Sequence, residues 1–211
     1  ISCNSGIPHF SPLTATVVKV WVESEAFSSS GSAVLVDSKK VESGYQLSFL
    51  TAKHNIRDAK IENLTIQFFS FSDVPDFTLP VIRATSHPGL DLAVLVVLSD
   101  IYHTPAQRAT GPILPLSEVF AVGYPLGIGM MVTSGFICID FKQGSNPSWI
   151  CSAPIFLGNS GGGVFDRSSN KLIGISIQML TADGTISTAV PHLHIVVPTT
   201  HFNGWLRELG I

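Results

Sequence analysis

The chain has 211 residues and a formal net charge of −3; 45% of its residues are apolar and only 13% are charged. A globule of this size hides roughly 70% of the surface its unfolded chain would expose, so the composition describes a core-rich globule and excludes a disordered chain. No lysine and arginine stripe suited to nucleic acid is present, and the longest apolar stretch of the first half, 92–98, is far too short to span a bilayer.

In chain order, short runs rich in Val, Ile, Phe and Thr predict strands at 16–22, 31–37, 46–52, 63–69, 79–84 and 92–98. A second set follows at 119–123, 130–141, 149–153, 162–165, 171–178, 185–190 and 194–197. Gly, Pro, Asn, Asp and Ser punctuate them, which argues for an all-β fold of sandwiches or barrels rather than alternating β and α. The stretch 99–117 separates the two sets, so two small barrels of about six strands each are expected, near 12–105 and 116–198. One helix is expected at 199–210, with Thr199 or Thr200 as N-cap, Phe202, Trp205, Leu206 and Leu209 on its apolar face and Gly210 closing it. No basic segment leads into an apolar one at the start, so no signal peptide is expected in the chain as it stands.

Three short stretches carry chemistry. Leu50-Thr-Ala-Lys-His54 ends a strand in a histidine, Leu90-Asp-Leu-Ala-Val-Leu95 brings an aspartate into an apolar strand, and Gly158-Asn-Ser-Gly-Gly-Gly163 sets a serine in a glycine-rich turn. Singly, each is as well explained by a surface histidine, an edge aspartate or a tight turn. Together, in the order His, Asp, Ser, they fit nucleophilic catalysis. A serine hydroxyl needs a base to take its proton, an imidazole titrates in the right range, and a carboxylate on its second nitrogen fixes the tautomer. The glycines let the chain turn so that backbone N–H groups of the segment Gly158, Asn159 and Ser160 can face a developing oxyanion.

These stretches resemble the trypsin-like serine proteases, and within them the HtrA-like (Deg) branch. The likeness extends over Gly31-Ser-Ala-Val-Leu-Val-Asp37, Val122-Gly-Tyr-Pro-Leu-Gly127, Val132-Thr-Ser-Gly135, Leu172-Ile-Gly-Ile175 and Val196-Val-Pro-Thr199. It implies two six-stranded antiparallel barrels with a C-terminal helix and an active site in the cleft between them. It further implies a serine endopeptidase with His54, Asp91 and Ser160 as triad and an oxyanion hole at Gly158, Asn159 and Ser160. The implied substrate-binding residues are Ile155, Phe156, Ile175, Ser176, Ile177, Gln178 and Met179. No acid stands among these, so a small or medium apolar residue before the scissile bond is expected, with the loop 183–188 as the far wall. A polypeptide substrate is the implied partner, and neither metal nor cofactor is expected. Asn159 replaces the aspartate of digestive trypsins, so no activation by a freed N-terminal Ile1 is expected. No PDZ-like segment is expected in the chain as it stands. Relatives of this branch often lie outside the cytoplasm, and a domain of a viral polyprotein is the alternative source.

Two rival readings remain at this stage. Gly158-Asn-Ser-Gly-Gly162 also fits the Gly-x-Ser-x-Gly elbow of α/β-hydrolases, but three glycines then Val-Phe are poor helix material, and the roughly 50 residues after the serine are too few for that architecture, which needs the order Ser, acid, His. The same barrels could also serve as a silent peptide-binding module. His192-x-His194 could pair two imidazoles on one strand face for a metal, although solvent-facing polar positions are the simpler reading. Cys138 and Cys151 flank an expected hairpin; a disulfide and two buried free thiols are both compatible with that spacing.

Overall fold

The computed structural model describes residues 13–24, 27–69, 76–143, 146–182 and 188–211. The first half forms β1 (Val17–Glu23), β2 (Ser28–Val41), β3 (Gly44–Ala52), β4 (Leu64–Phe68), β5 (Phe77–Pro80), β6 (Arg83–Ser86) and β7 (Leu92–Ser99). The second half forms β8 (Glu118–Gly123), β9 (Met131–Gln143), β10 (Asn146–Cys151), β11 (Gly163–Asp166), β12 (Leu172–Thr181), β13 (Ala189–Pro198) and helix α1 (Thr199–Glu208).

The second set closes into a six-stranded antiparallel barrel in the order β10-β13-β12-β11-β8-β9. The first set differs from the expected closed six-stranded barrel. It is a seven-stranded sheet ordered β5-β4-β1-β2-β3-β7-β6. The run expected as one strand at 79–84 breaks at Val81 and Ile82, where the Val81 N–H donates to Leu64 and the Ile82 N–H to Val96. One segment thereby serves both edges, β5 pairing with β4 and β6 with β7, and the sheet curls back on itself. The runs expected at 185–190 and 194–197 merge from residue 189 onward into β13; 183–187 lie outside the described residues.

Strand β7 shows why a continuous apolar run forms here. Its side chains alternate between two cores, Leu95 and Val97 inside the first sheet and Leu92, Val94 and Val96 in the seam between the halves. With both faces covered, period-two polarity has no place to appear. A third core, with Val119, Ile137, Cys151, Val164 and Val196, fills the closed barrel. Helix α1 buries Phe202 and Leu206 in the seam. It starts after Pro198 with no side-chain cap, so neither Thr199 nor Thr200 is the N-cap. It ends as expected at Gly210 (φ +78°), where the Gly210 and Ile211 N–H groups bond back to Arg207 and Leu206. Cys138 and Cys151 are free thiols.

Candidate active site

Strand pairing brings the imidazole to the carboxylate. In the β3–β7 ladder Ala52 stands opposite Leu92. His54 follows Ala52 in a single 3-10 turn, Lys53–Ile56, and Asp91 immediately precedes Leu92, so both emerge at one end of the same strand pair. The His54 Nδ1 and Asp91 Oδ2 are 2.6 Å apart, and the His54 backbone N–H donates to Asp91 Oδ1 at 3.0 Å. Burial pushes the Asp91 carboxyl up, but the bonds from His54 and the nearby Arg57 charge outweigh it and hold the group below the usual carboxylate range. With the Nδ1 proton committed to Asp91, Nε2 is left as the basic nitrogen.

Ser160 comes from the other half, in the connection 152–162 between β10 and β11. It lines, with His54 and Asp91, one cleft of about 340 Å³ between the two sheets. Its hydroxyl donates to the Ile177 carbonyl at 3.1 Å. Ile177 is the bulged residue of β12, skipped between the pairs Ser176↔Val196 and Gln178↔Ile195.

The turn that carries Ser160 is held plane by plane. A trans peptide points its C=O and the next N–H in opposite directions, so anchoring a carbonyl aims the following amide. The Leu157 carbonyl accepts from the Leu126 N–H at 2.6 Å, and the Gly158 carbonyl from the Ser32 hydroxyl at 2.8 Å. The Asn159 carbonyl accepts from the Gly162 N–H at 2.8 Å, and the Ser160 carbonyl from the Ser32 N–H at 2.8 Å. The Asn159 N–H closes a turn onto Phe156, with Gly158 at φ +94°, the geometry of a type II turn. Gly161, at φ +87°, donates to the Ser176 carbonyl. The Gly158 and Ser160 amides donate to no acceptor among the described residues. Asn159 is thereby set apart from the other two residues expected at the oxyanion hole: its amide is spent and its side chain is buried.

Of the residues expected around the substrate, Ile155, Phe156, Ile177, Gln178 and Met179 line the cleft, joined by Leu157, Arg57 and Thr181. Ile175 and Ser176 sit behind it. Ile175 is fully buried in the seam, and the Ser176 carbonyl holds the Gly161 amide. Most of the loop expected as the far wall, 183–187, lies outside the described residues, as does Ile1. The two histidines of His192-x-His194 do not share a face. His192 takes a left-handed φ of +63°, which breaks the alternation, so it is exposed while His194 is wholly buried rather than solvent-facing. Among the described residues no cluster suits a metal.

Residue patterns singled out the reacting groups but missed what holds them. Ser32 and Asn55 join the two halves beneath the nucleophile turn, and Thr51 links the two. The available signal was three polar residues in or beside strands that are otherwise apolar, flanking Gly31 and His54.

The trypsin-like peptidase domain family matches residues 31–175 of the chain. The periplasmic serine endoprotease DegP of Escherichia coli K12 is 28% identical over 168 residues, which is 77% of this chain and 32% of that protein. The chain thus spans about a third of the length of the curated relatives it matches. Among solved structures, the serine endoprotease from Yersinia pestis superposes with a TM-score of 0.72 at 22% identity, over 94% of this chain and 64% of the other. The Rv3671c protease from M. tuberculosis in its active form gives 0.73 at 17% identity, over 94% and 82%. At those identities the two structures speak for the fold alone.

Proposed function

Since the chain belongs to the trypsin-like peptidase domain family, we propose that it is a serine endopeptidase that cuts peptide bonds through an acyl-enzyme, with Ser160 as nucleophile, His54 as general base and Asp91 as the group that orients it. The observation that carries this reading is the 2.6 Å pair of His54 and Asp91 in the same cleft as a serine whose turn leaves two amides free.

In this mechanism a substrate strand lies against the cleft-facing edge of β12 and takes up the Ile177 carbonyl. The Ser160 hydroxyl then turns toward His54 by rotation about one bond. His54 Nε2 removes its proton as Oγ attacks the scissile carbonyl carbon. The electron pair of the carbonyl moves to its oxygen, which the Gly158 and Ser160 amides receive. Asp91 stabilises the imidazolium, which next hands its proton to the leaving amine. Water repeats the cycle on the acyl-enzyme. One well-placed donor to the oxyanion contributes about 3–4 kcal/mol of transition-state stabilisation.

The apolar side chains of Ile155, Phe156, Ile177 and Met179 support a small or medium apolar residue before the scissile bond. A peptide-library digest is expected to show cleavage after Ala, Val or Leu, and cleavage mainly after Lys or Arg overturns that preference. An extracytoplasmic location rests on the likeness to periplasmic DegP. Among the described residues no helix is long and apolar enough to cross a membrane.

The decisive experiment is labelling of the native chain with a fluorophosphonate and mapping the adduct by mass spectrometry, beside digestion of a denatured protein. An adduct on Ser160 with proteolysis is expected. An unlabelled native chain favours a peptide-binding module, and an adduct on another residue moves the nucleophile.

A further inference from the structure

We propose that Ser32 and Asn55, two side chains of the first half, are positioning residues that fix the peptide planes alternating with those of the Gly158 and Ser160 amides, and through them keep these amides in place for the charge formed at the substrate carbonyl. The inference rests on the peptidase reading, because it concerns the same site.

Four consecutive carbonyls, from Leu157 to Ser160, are anchored. Those of Leu157 and Asn159 are held by backbone N–H groups, from Leu126 and Gly162, within the second half. Those of Gly158 and Ser160 are held across the seam, and there the side chains enter: they fix the planes of the Asn159 and Gly161 amides, which flank the Ser160 amide plane on both sides, and the first of which also adjoins the Gly158 amide plane. The Ser32 hydroxyl accepts from the Tyr124 N–H at 2.8 Å and donates to the Gly158 carbonyl at 2.8 Å, so both its lone pair and its proton have fixed partners. The Asn55 amide donates one hydrogen to the Ser160 carbonyl at 2.7 Å and the other to Thr51 Oγ1 at 3.0 Å. Thr51 Oγ1 in turn donates to the Ser32 carbonyl at 2.7 Å. The Ser32 N–H on the Ser160 carbonyl closes the circuit. Both hydrogens of the Asn55 amide are therefore directed, and the amide cannot rotate without breaking a bond.

Gly31 completes the arrangement. A Cβ at position 31 would run into the Asn55 side-chain amide, so the missing side chain is the space that Asn55 fills. No positive φ is recorded for Gly31, so an alanine there takes up no left-handed backbone, and the three atoms its Cβ would meet first all belong to the Asn55 side chain.

Neither Ser32 nor Asn55 lines the cleft. Their effect on rate passes through the planes they hold to the adjoining Gly158 and Ser160 amides. Misplacing a reacting geometry by about 1 Å costs on the order of 100-fold in rate. The test uses a p-nitroanilide peptide chosen from the library digest and the boronic acid of the same sequence, which forms a tetrahedral adduct on the nucleophile. For Asn55→Ala, kcat is expected to fall about 10- to 100-fold with little change in KM. Affinity for the boronic acid should fall by a similar factor, because that adduct needs the same donors. Gly31→Ala, which keeps every hydrogen-bonding group and presses first on the Asn55 amide, should reproduce both losses with a thermal midpoint near that of the unaltered chain. Full kcat in either variant overturns the proposal, as does a lost kcat with undiminished boronic acid affinity. An unaltered chain that neither hydrolyses the peptide nor binds the boronic acid removes the peptidase reading, and the positioning role with it.

Discussion

His54 and Asp91 leave the ends of two strands that are direct ladder neighbours, and their meeting is set by the register Ala52↔Leu92. Ser160 sits instead in the long connection 152–162, where no ladder reaches it, and its turn is held by single bonds arriving from both halves of the molecule. The two sides of the cleft thus reach definite geometry by different means. A ladder shares its constraint over many residues, so no single side chain beyond the pair itself is needed. A turn braced at separate points depends on each brace. The base side should therefore respond to changes in its own two groups, and the nucleophile side to changes well outside the cleft.

The most severe break of that comparison is Ser160→Ala, which removes the group both sides converge on. A loss on the order of 10⁶ in kcat is expected in peptide hydrolysis; retained turnover would place the nucleophile elsewhere. Asp91→Asn tests the ladder side. The two strands stay paired, but the amide no longer enforces the tautomer, and kcat is expected to fall by about 10⁴. A loss below about 10-fold would mean that the 2.6 Å contact does not govern the base. Gly158→Ala tests the turn side. A Cβ there would stand 2.5 Å from the Tyr124 carbonyl, at a φ of +94° that alanine adopts poorly. The hole should open, with kcat down roughly 10²- to 10³-fold; an unchanged kcat would show that the turn can shift without losing its donors.

The smallest effect separates two histidines. His54 has a carboxylate partner and partial exposure, whereas both ring nitrogens of His194 are buried without a well-formed hydrogen bond among the described residues. Burial pulls the His194 imidazole down to about 4, the nearby Ala153 backbone offsetting part of this. The unfolded chain protonates the same group near its ordinary value of 6.5. Between those values the unfolded state binds the extra proton, so stability is full above about 6.5 and declines as the pH falls toward 4. His87 and His103 are also lowered by burial and act in the same direction, so the measurement is a difference. Urea melts of the unaltered chain should lose up to about 1.4 kcal/mol per pH unit more than those of His194→Leu. Equal slopes would show that the imidazole is charged inside the barrel.

Much of the fold was legible because its signals are local. Runs such as 92–98 and 119–123 could be recognised as strands from their residues alone, and Gly210 marked the helix end by its freedom at positive φ. The errors fall where long-range contacts prevail. The run 79–84 looks like one strand, yet its two halves answer to different neighbours, β4 and β7. Thr199 and Thr200 look like caps, but Pro198 already ends β13 and Thr199 reaches instead for the Ala109 carbonyl. His192 and His194 share parity in the sequence, and a left-handed φ at His192 parts them.

By itself the sequence determined the candidate groups of the site, because an imidazole at the end of a strand-like run, a carboxylate ahead of an apolar run and a serine among glycines each have a residue-level reason. Only the tertiary structure decided which amides stay free and which residues keep them so. A hydrogen bond between Asn55 and Ser160 joins positions 105 apart in the chain, and no local pattern encodes which carbonyl a side-chain amide will meet once two sheets have closed on each other.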